Sequence, residues 1–186
     1  MGVMDALARY ADHPDRATGM ANTVALLVAS NGPFYPLYVW WMLPEAGMVS
    51  CATMLASPFF AAIPWLARQH PALGGAALPV MGLLNTIWTT ALLGSESGVA
   101  VFAYPCIVLA LLCWRERLTL LAVLGLGLAA QQLVLRWPWV PLSGLNAEGQ
   151  AALVAMNGAS VGMLLAFLVL MGARHARTIA DAASDC

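Results

Sequence analysis

The side chains that could do chemistry inside the apolar stretches of this sequence are all uncharged. Asn31, Asn85, Thr86, Thr89, Thr90, Tyr104, Gln131, Gln132, Asn157 and Ser160 lie within long apolar runs, and no Asp, Glu, Arg or His lies deep in any of them. Pumps and proton-coupled carriers place an ionisable group near the membrane midplane. Intramembrane hydrolysis needs a nucleophile with a base, or a metal cluster. A b-type haem needs an axial ligand, usually histidine; His13, His70 and His175 all fall outside the apolar runs. There is no lysine at all, which removes Schiff-base and Walker chemistry. Cys51, Cys106, Cys113 and Cys186 show no CxxC spacing. No catalytic residue, metal site or cofactor is therefore expected. The chemistry left is recognition of a small molecule by a few neutral polar groups in an apolar wall. The candidate ligand residues are Asn31, Tyr35, Asn85, Trp88, Tyr104, Asn157 and Ser160, with Phe102 as a further wall. Hydrogen bonding between helices is the alternative use of the same side chains.

Those residues need a scaffold, and composition names it. The chain is 61% apolar and 9% charged, with mean hydropathy +0.79. A soluble domain is about 45–50% apolar and roughly 25% charged, so this chain cannot cover a globular surface with polar groups. A net charge of −1 leaves no basic footprint for nucleic acid. Six apolar runs of bilayer length are expected, at 20–43, 47–66, 72–93, 97–114, 118–135 and 149–172. They predict an all-α, polytopic membrane protein built as a six-helix transmembrane bundle. Arg9, Arg16, Arg68, Arg115, Arg117, Arg174 and Arg177 fall on one side of such a bundle, and Arg136 alone on the other. The positive-inside rule then puts both termini in the cytoplasm. Trp40, Trp41, Trp137 and Trp139 are expected as an outer aromatic belt, with Trp65 and Trp114 at the inner face. The Pro- and Trp-rich stretch 136–148 is expected to lie in the interface. On this topology the neutral polar groups map to the middle and outer half.

Residues 1–19 read as a short cytoplasmic amphipathic leader, 20–172 as the transmembrane domain, and 173–186 as a cytoplasmic exit helix or tail. Val3, Met4, Leu7 and Tyr10 can share one face of a leader helix that His13-Pro14-Asp15 ends. In the first run, NGPFYPLYVWW (31–41) carries two prolines, Pro33 and Pro36, so the helix must bend or open there. Such a bend is either a packed kink or the shaping of a pocket with Asn31 and Tyr35 in its wall. Gly158 and Gly162 have GxxxG spacing, which predicts a close helix contact, within the bundle in preference to a dimer face. From 173 to 183, ARHARTIADAA continues the helical pattern without Gly or Pro.

The leader MDALARYADHPDR (4–16), followed by GPFYPLYVWWMLPE (32–45), resembles the six-transmembrane sensor region of bacterial quorum-sensing histidine kinases that detect α-hydroxyketone autoinducers. The hexahelical anchors of some bacterial adenylate cyclases are similar in plan. The stretches LLGSESGVAVFAYPCIVLALLCWRER (92–117) and ARHARTIADAA look similar too. The resemblance implies a multi-pass protein of the bacterial inner membrane that binds a small lipophilic signal among its helices. It would relay that signal through the sixth helix to a second copy or to a partner signalling protein. Relatives carry a dimerisation helix and kinase after this point; this chain shows no phospho-acceptor histidine motif and no ATP site, so either a sensor without its own catalytic output or a fragment of a longer protein is expected. It also has no tryptophan in SGVAVFAY (97–104), where the ketone receptors have one that contacts ligand. Two other readings stand beside this one. One is a small carrier or channel subunit with a path lined by Asn31, Asn85, Gln131 and Asn157. The other is a regulatory membrane partner subunit.

Overall fold

A computed structural model of the chain describes residues 2–113, 117–136 and 147–184, and among these residues every regular element is helical. Helix α1 (Val3–Ala11) is a short leader. Helix α2 (Arg16–Asn31) starts at Asp15, whose carboxylate accepts from the Thr18 amide at 3.0 Å and the Thr18 hydroxyl at 2.7 Å. That satisfies one of the donors every helix start leaves open. Gly32 and Pro33 end α2, and α3 (Phe34–Met42) continues after them. The bend or opening expected in the first run falls at Gly32 and Pro33, which both keep right-handed helical dihedrals between the two helices.

The second run is one continuous helical stretch, Pro44–Gln69, wound at two pitches. It passes from a 3-10 turn (Pro44–Ala46) through α4 (Gly47–Ser50) and a second 3-10 segment (Cys51–Ala56) into α5 (Ser57–Gln69). Helix α6 (Pro71–Leu93) follows. It ends at Gly94, where a tight connection holds two 3-10 turns, Ser95–Ser97 and Val99–Phe102. Helices α7 (Ala103–Cys113), α8 (Arg117–Arg136) and α9 (Ala147–Ser184) complete the bundle.

Three helical stretches are long and apolar enough to cross a bilayer: Pro44–Gln69, Gly75–Leu93 and Ala147–Ala173. Val99–Leu112 is apolar but shorter. The outward surface is greasy, with Trp41, Met48, Phe59, Leu126, Met163 and Leu170 all exposed. Water would not tolerate that surface over a whole bundle, whereas hydrocarbon does. Trp40, Trp41 and Trp65 are exposed, as belt residues would be. Trp114, Trp137, Trp139, Arg115 and the expected interfacial stretch 137–146 lie outside the described residues.

Helix α6 sits at the centre and packs against α2, α5, α7, α8 and the Val99–Phe102 turn. One end of the bundle is held by Ala21, Val24 and Ala25 of α2, Phe60 and Ile63 of α5, Leu78 of α6, Leu109 of α7 and Leu168 of α9. Small residues on α2 let its backbone approach, and the larger side chains of four other helices fill the space. At the other end, Val39, Leu43 and Ala46 close on Leu153 of α9. Beside them Leu92, Leu93 and Val99 form a third cluster. Tyr35 packs against both of these last clusters.

Candidate functional site

The candidate residues fall into two neighbouring places and a remainder. The first place is a groove on the side of the bundle, about 190 Å³ in volume, between the Cys51–Ala56 segment with α5 and the outer face of α6. Leu55, Ala56, Phe59, Met81, Leu84, Asn85 and Trp88 line it. Drug-sized pockets run about 300–1,000 Å³, so this one suits a short chain or a small ring. Its wall is apolar except for Asn85. The Asn85 carbonyl oxygen accepts from the Thr89 hydroxyl at 3.5 Å, the outer limit of a hydrogen bond. Its amide nitrogen donates to no group among the described residues. Trp88 is fixed: its indole N–H donates to the Ala52 carbonyl at 3.1 Å, across to the 3-10 segment.

The second place is a buried polar node. The Tyr35 hydroxyl on α3 donates to the Asn157 side-chain oxygen on α9 at 3.2 Å. The Asn157 amide then donates to the Ser97 main-chain carbonyl at 2.9 Å. The Ser97 hydroxyl in turn donates to the Gly94 carbonyl at 2.7 Å. Ser97 and Asn157 are fully enclosed. In a medium without water each such group must find its partner inside the protein, and here the partners come from three different elements. The connection folds this tightly because Gly94 and Gly98 adopt φ of +88° and +75°, a region other residues rarely enter. A Cβ on Gly98 would also lie 2.9 Å from the Val154 Cα of α9. Helix α8 grips the same connection, since the Gln131 amide donates to the Ala100 carbonyl at 2.8 Å.

Groove and node are linked through one apolar cluster. Ala52, whose carbonyl anchors Trp88, packs on the Leu92–Leu93–Val99 cluster, and so do Tyr35 and Phe102. Tyr35 and Asn157 are thus bonded to one another, and Asn85 and Trp88 line one groove. The other candidates do not join them. Asn31 ends α2 on the exposed surface, so the bend or opening in the first run does not turn it into a pocket. Tyr104 is 58% exposed on the outside of α7. Ser160 bonds to its own helix, donating to the Met156 carbonyl at 2.9 Å. Gly158 and Gly162 are exposed, with no described residue within 4 Å of an added Cβ, so the close contact expected within the bundle is not made there among the described residues. Ala155, Gly158, Ala159 and Gly162 of α9 are exposed, and the larger Leu153, Asn157, Val161 and Leu168 are buried against its neighbours.

Three groups matter more in the structure than their residue types suggest. Ser97 enters the node through its main-chain carbonyl, which no side-chain pattern announces; the GSESG punctuation is its only signal. Gln131 lines a void of about 10 Å³ with Leu83, Thr86, Ile87, Thr90, Ala100 and Gly127, room for about one water. Its carbonyl oxygen and that of Asn22 are the buried side-chain atoms with no partner among the described residues. Arg68, whose expected role is only to signal topology, donates through its guanidinium to main-chain carbonyls of α1. No cluster of three His, Cys, Asp or Glu residues among those described could hold a metal ion. No family model, curated protein or solved structure matches the chain.

Proposed function

We propose that this chain is a membrane-embedded, receptor-like module that takes a small lipophilic molecule into the Leu55–Trp88 groove. In this reading six spans carry both termini on the cytoplasmic side of a bacterial inner membrane. The observation that carries the proposal is the groove itself: apolar, open sideways toward lipid, and furnished with one unengaged amide donor, on Asn85. A ligand with a short hydrocarbon portion and one hydrogen-bond acceptor matches that wall. Relay to α9 is supported by the shared Ala52–Tyr35 packing and by the Tyr35–Asn157 bond. Helix α9 runs without a break from Ala147 to Ser184, so a shift at Asn157 has a rigid lever to travel along.

The test is binding to the full chain in nanodiscs, read as ligand-dependent thermal stabilisation. Medium-chain ketones and fatty acids should bind more tightly than alkanes of equal length, by about 2- to 12-fold if one net hydrogen bond of about 0.5–1.5 kcal/mol is gained. Asn85→Leu should erase that preference without unfolding the bundle. Absence of any ligand-dependent shift, or an unchanged preference in Asn85→Leu, sinks the reading. The carrier path is not supported by the geometry: Asn31 is exposed, Asn85 faces the lateral groove, Gln131 a separate void, and Asn157 is enclosed. The open face at Gly158 and Gly162 favours a second reading, a regulatory subunit that docks there on another membrane protein or a second copy. Stoichiometric co-purification of a partner, lost on Gly158→Leu, would select it.

A further inference from the structure

We infer that α1 is a membrane-surface anchor, held by the bundle with its Val3–Met4–Leu7 face in the lipid interface beside the end of α5. A helix leaves its last four carbonyls without intrahelical partners. All four of α1 are accounted for, and three of them by side chains of the bundle. The Ala8 carbonyl accepts from the Asp12 amide at 3.0 Å. The Arg68 guanidinium, at the end of α5, donates to the Arg9 carbonyl at 3.0 Å and the Tyr10 carbonyl at 2.6 Å. The Asn22 amide on α2 donates to the Ala11 carbonyl at 3.1 Å. A cation at the negative end of the helix dipole adds to this hold. The same guanidinium lies over the Tyr10 ring, 5.1 Å from its centre. A terminal leader tied at this many points has a fixed orientation.

Tyr10 shows which way the helix faces. Its carbonyl is at Arg68, while its hydroxyl donates to the Ala61 carbonyl at 3.0 Å. Ala61 lies seven residues nearer the centre of the Pro44–Gln69 stretch, roughly 10 Å along the helix. The Tyr10 side of α1 therefore points into the membrane-crossing body. At about 100° per residue, Val3, Leu7, Tyr10 and Ala11 share one face with Met4, and Asp5, Arg9 and Asp12 occupy the opposite one. Tyr10 and Ala11 meet the bundle. Val3 and Met4, each 77% exposed, and Leu7 continue the same face beyond its edge. What lies there, level with Arg68 and the exposed Trp65, is the headgroup boundary of the bilayer. Apolar residues on one side and charges on the other are what an interfacial helix presents.

The proposal does not depend on a ligand in the groove. Its test uses the full chain in nanodiscs, with the four native cysteines replaced and single spin labels at Met4, Leu7, Asp5 and Arg9. Labels at Met4 and Leu7 should be reached by oxygen in preference to a water-soluble nickel chelate; labels at Asp5 and Arg9 should show the reverse. Arg68→Gln should reduce this contrast between faces while the label spectra of the bundle stay unchanged. Equal nickel access at Met4 and Asp5 would overturn the inference. So would protection of Met4 from both reagents, which would put a protein surface there instead.

Discussion

Replacing Asn157 with leucine should be among the most damaging single changes near the Val39–Leu43 and Leu92–Leu93 clusters. The substitution nearly preserves volume and removes two hydrogen bonds, from the Tyr35 hydroxyl and to the Ser97 carbonyl. Hydrogen bonds between membrane helices average about 0.6 kcal/mol, so the pair accounts for roughly 1.2 kcal/mol. Most of the cost comes from what stays behind: a fully enclosed Ser97 carbonyl with its side-chain donor gone, at about 1–3 kcal/mol. The expected loss is about 2–4 kcal/mol. Tyr35→Phe removes only one bond and strands one side-chain oxygen, for about 1.5–3.5 kcal/mol. Ser97→Ala leaves the main-chain acceptor in place and should cost less than about 1 kcal/mol, the worth of its bond to Gly94. Reversible unfolding in mixed detergent micelles, or steric trapping in bicelles, measures all three. The ordering is the sharper part of the test. If Asn157→Leu lies within about 0.5 kcal/mol of the wild type, or Ser97→Ala proves the worst of the three, the node does not hold α9 in place.

Two further substitutions bear on the glycines. Gly98→Ala forces a side chain into φ +75° and against the Val154 backbone, and should lower stability by at least about 2 kcal/mol in the same assay, while Gly125→Ala, with open space around it, should not. Gly158→Leu with Gly162→Leu should leave the stability of the monomer unchanged or slightly raised, since leucine is the better helix former; a loss above about 1 kcal/mol in monomeric protein would show that α9 is turned the other way.

The long apolar runs and their punctuation are readable because bilayer length and helix-breaking chemistry leave marks in residue type. Asp15 stands where α2 starts, and Gly32-Pro33 and the GSESG connection stand where helices stop. The rotation of each helix is harder to read. In α9, apolar and small residues alternate so evenly that no stripe separates the lipid side from the protein side. Gly158 and Gly162 therefore have the spacing of a contact surface, although Asn157 and Val161 make the contacts. Asn31 is expected to face inward because polar groups are costly in hydrocarbon, but the structure leaves it exposed where α2 gives way to α3. The pairing of Asn157 with a main-chain oxygen sixty residues away leaves no trace in side-chain chemistry. Asn85 and Trp88 are legible for the opposite reason. They lie three apart on one helix, and polar and aromatic side chains at that spacing must look out on the same space.

The change of pitch within Pro44–Gln69 has a bearing on the groove. In the 3-10 winding of Cys51–Ala56, residues three apart eclipse one another. Ala52, which holds the Trp88 indole, and Leu55, which lines the groove, therefore stand on one edge of the helix. Wound as an α-helix, the same six residues would carry Leu55 about 60° round the axis from Ala52. The width of the opening is thus written into how tightly the backbone is coiled. A molecule that wedges between Leu55 and Trp88 would be felt first as a torque on the main chain.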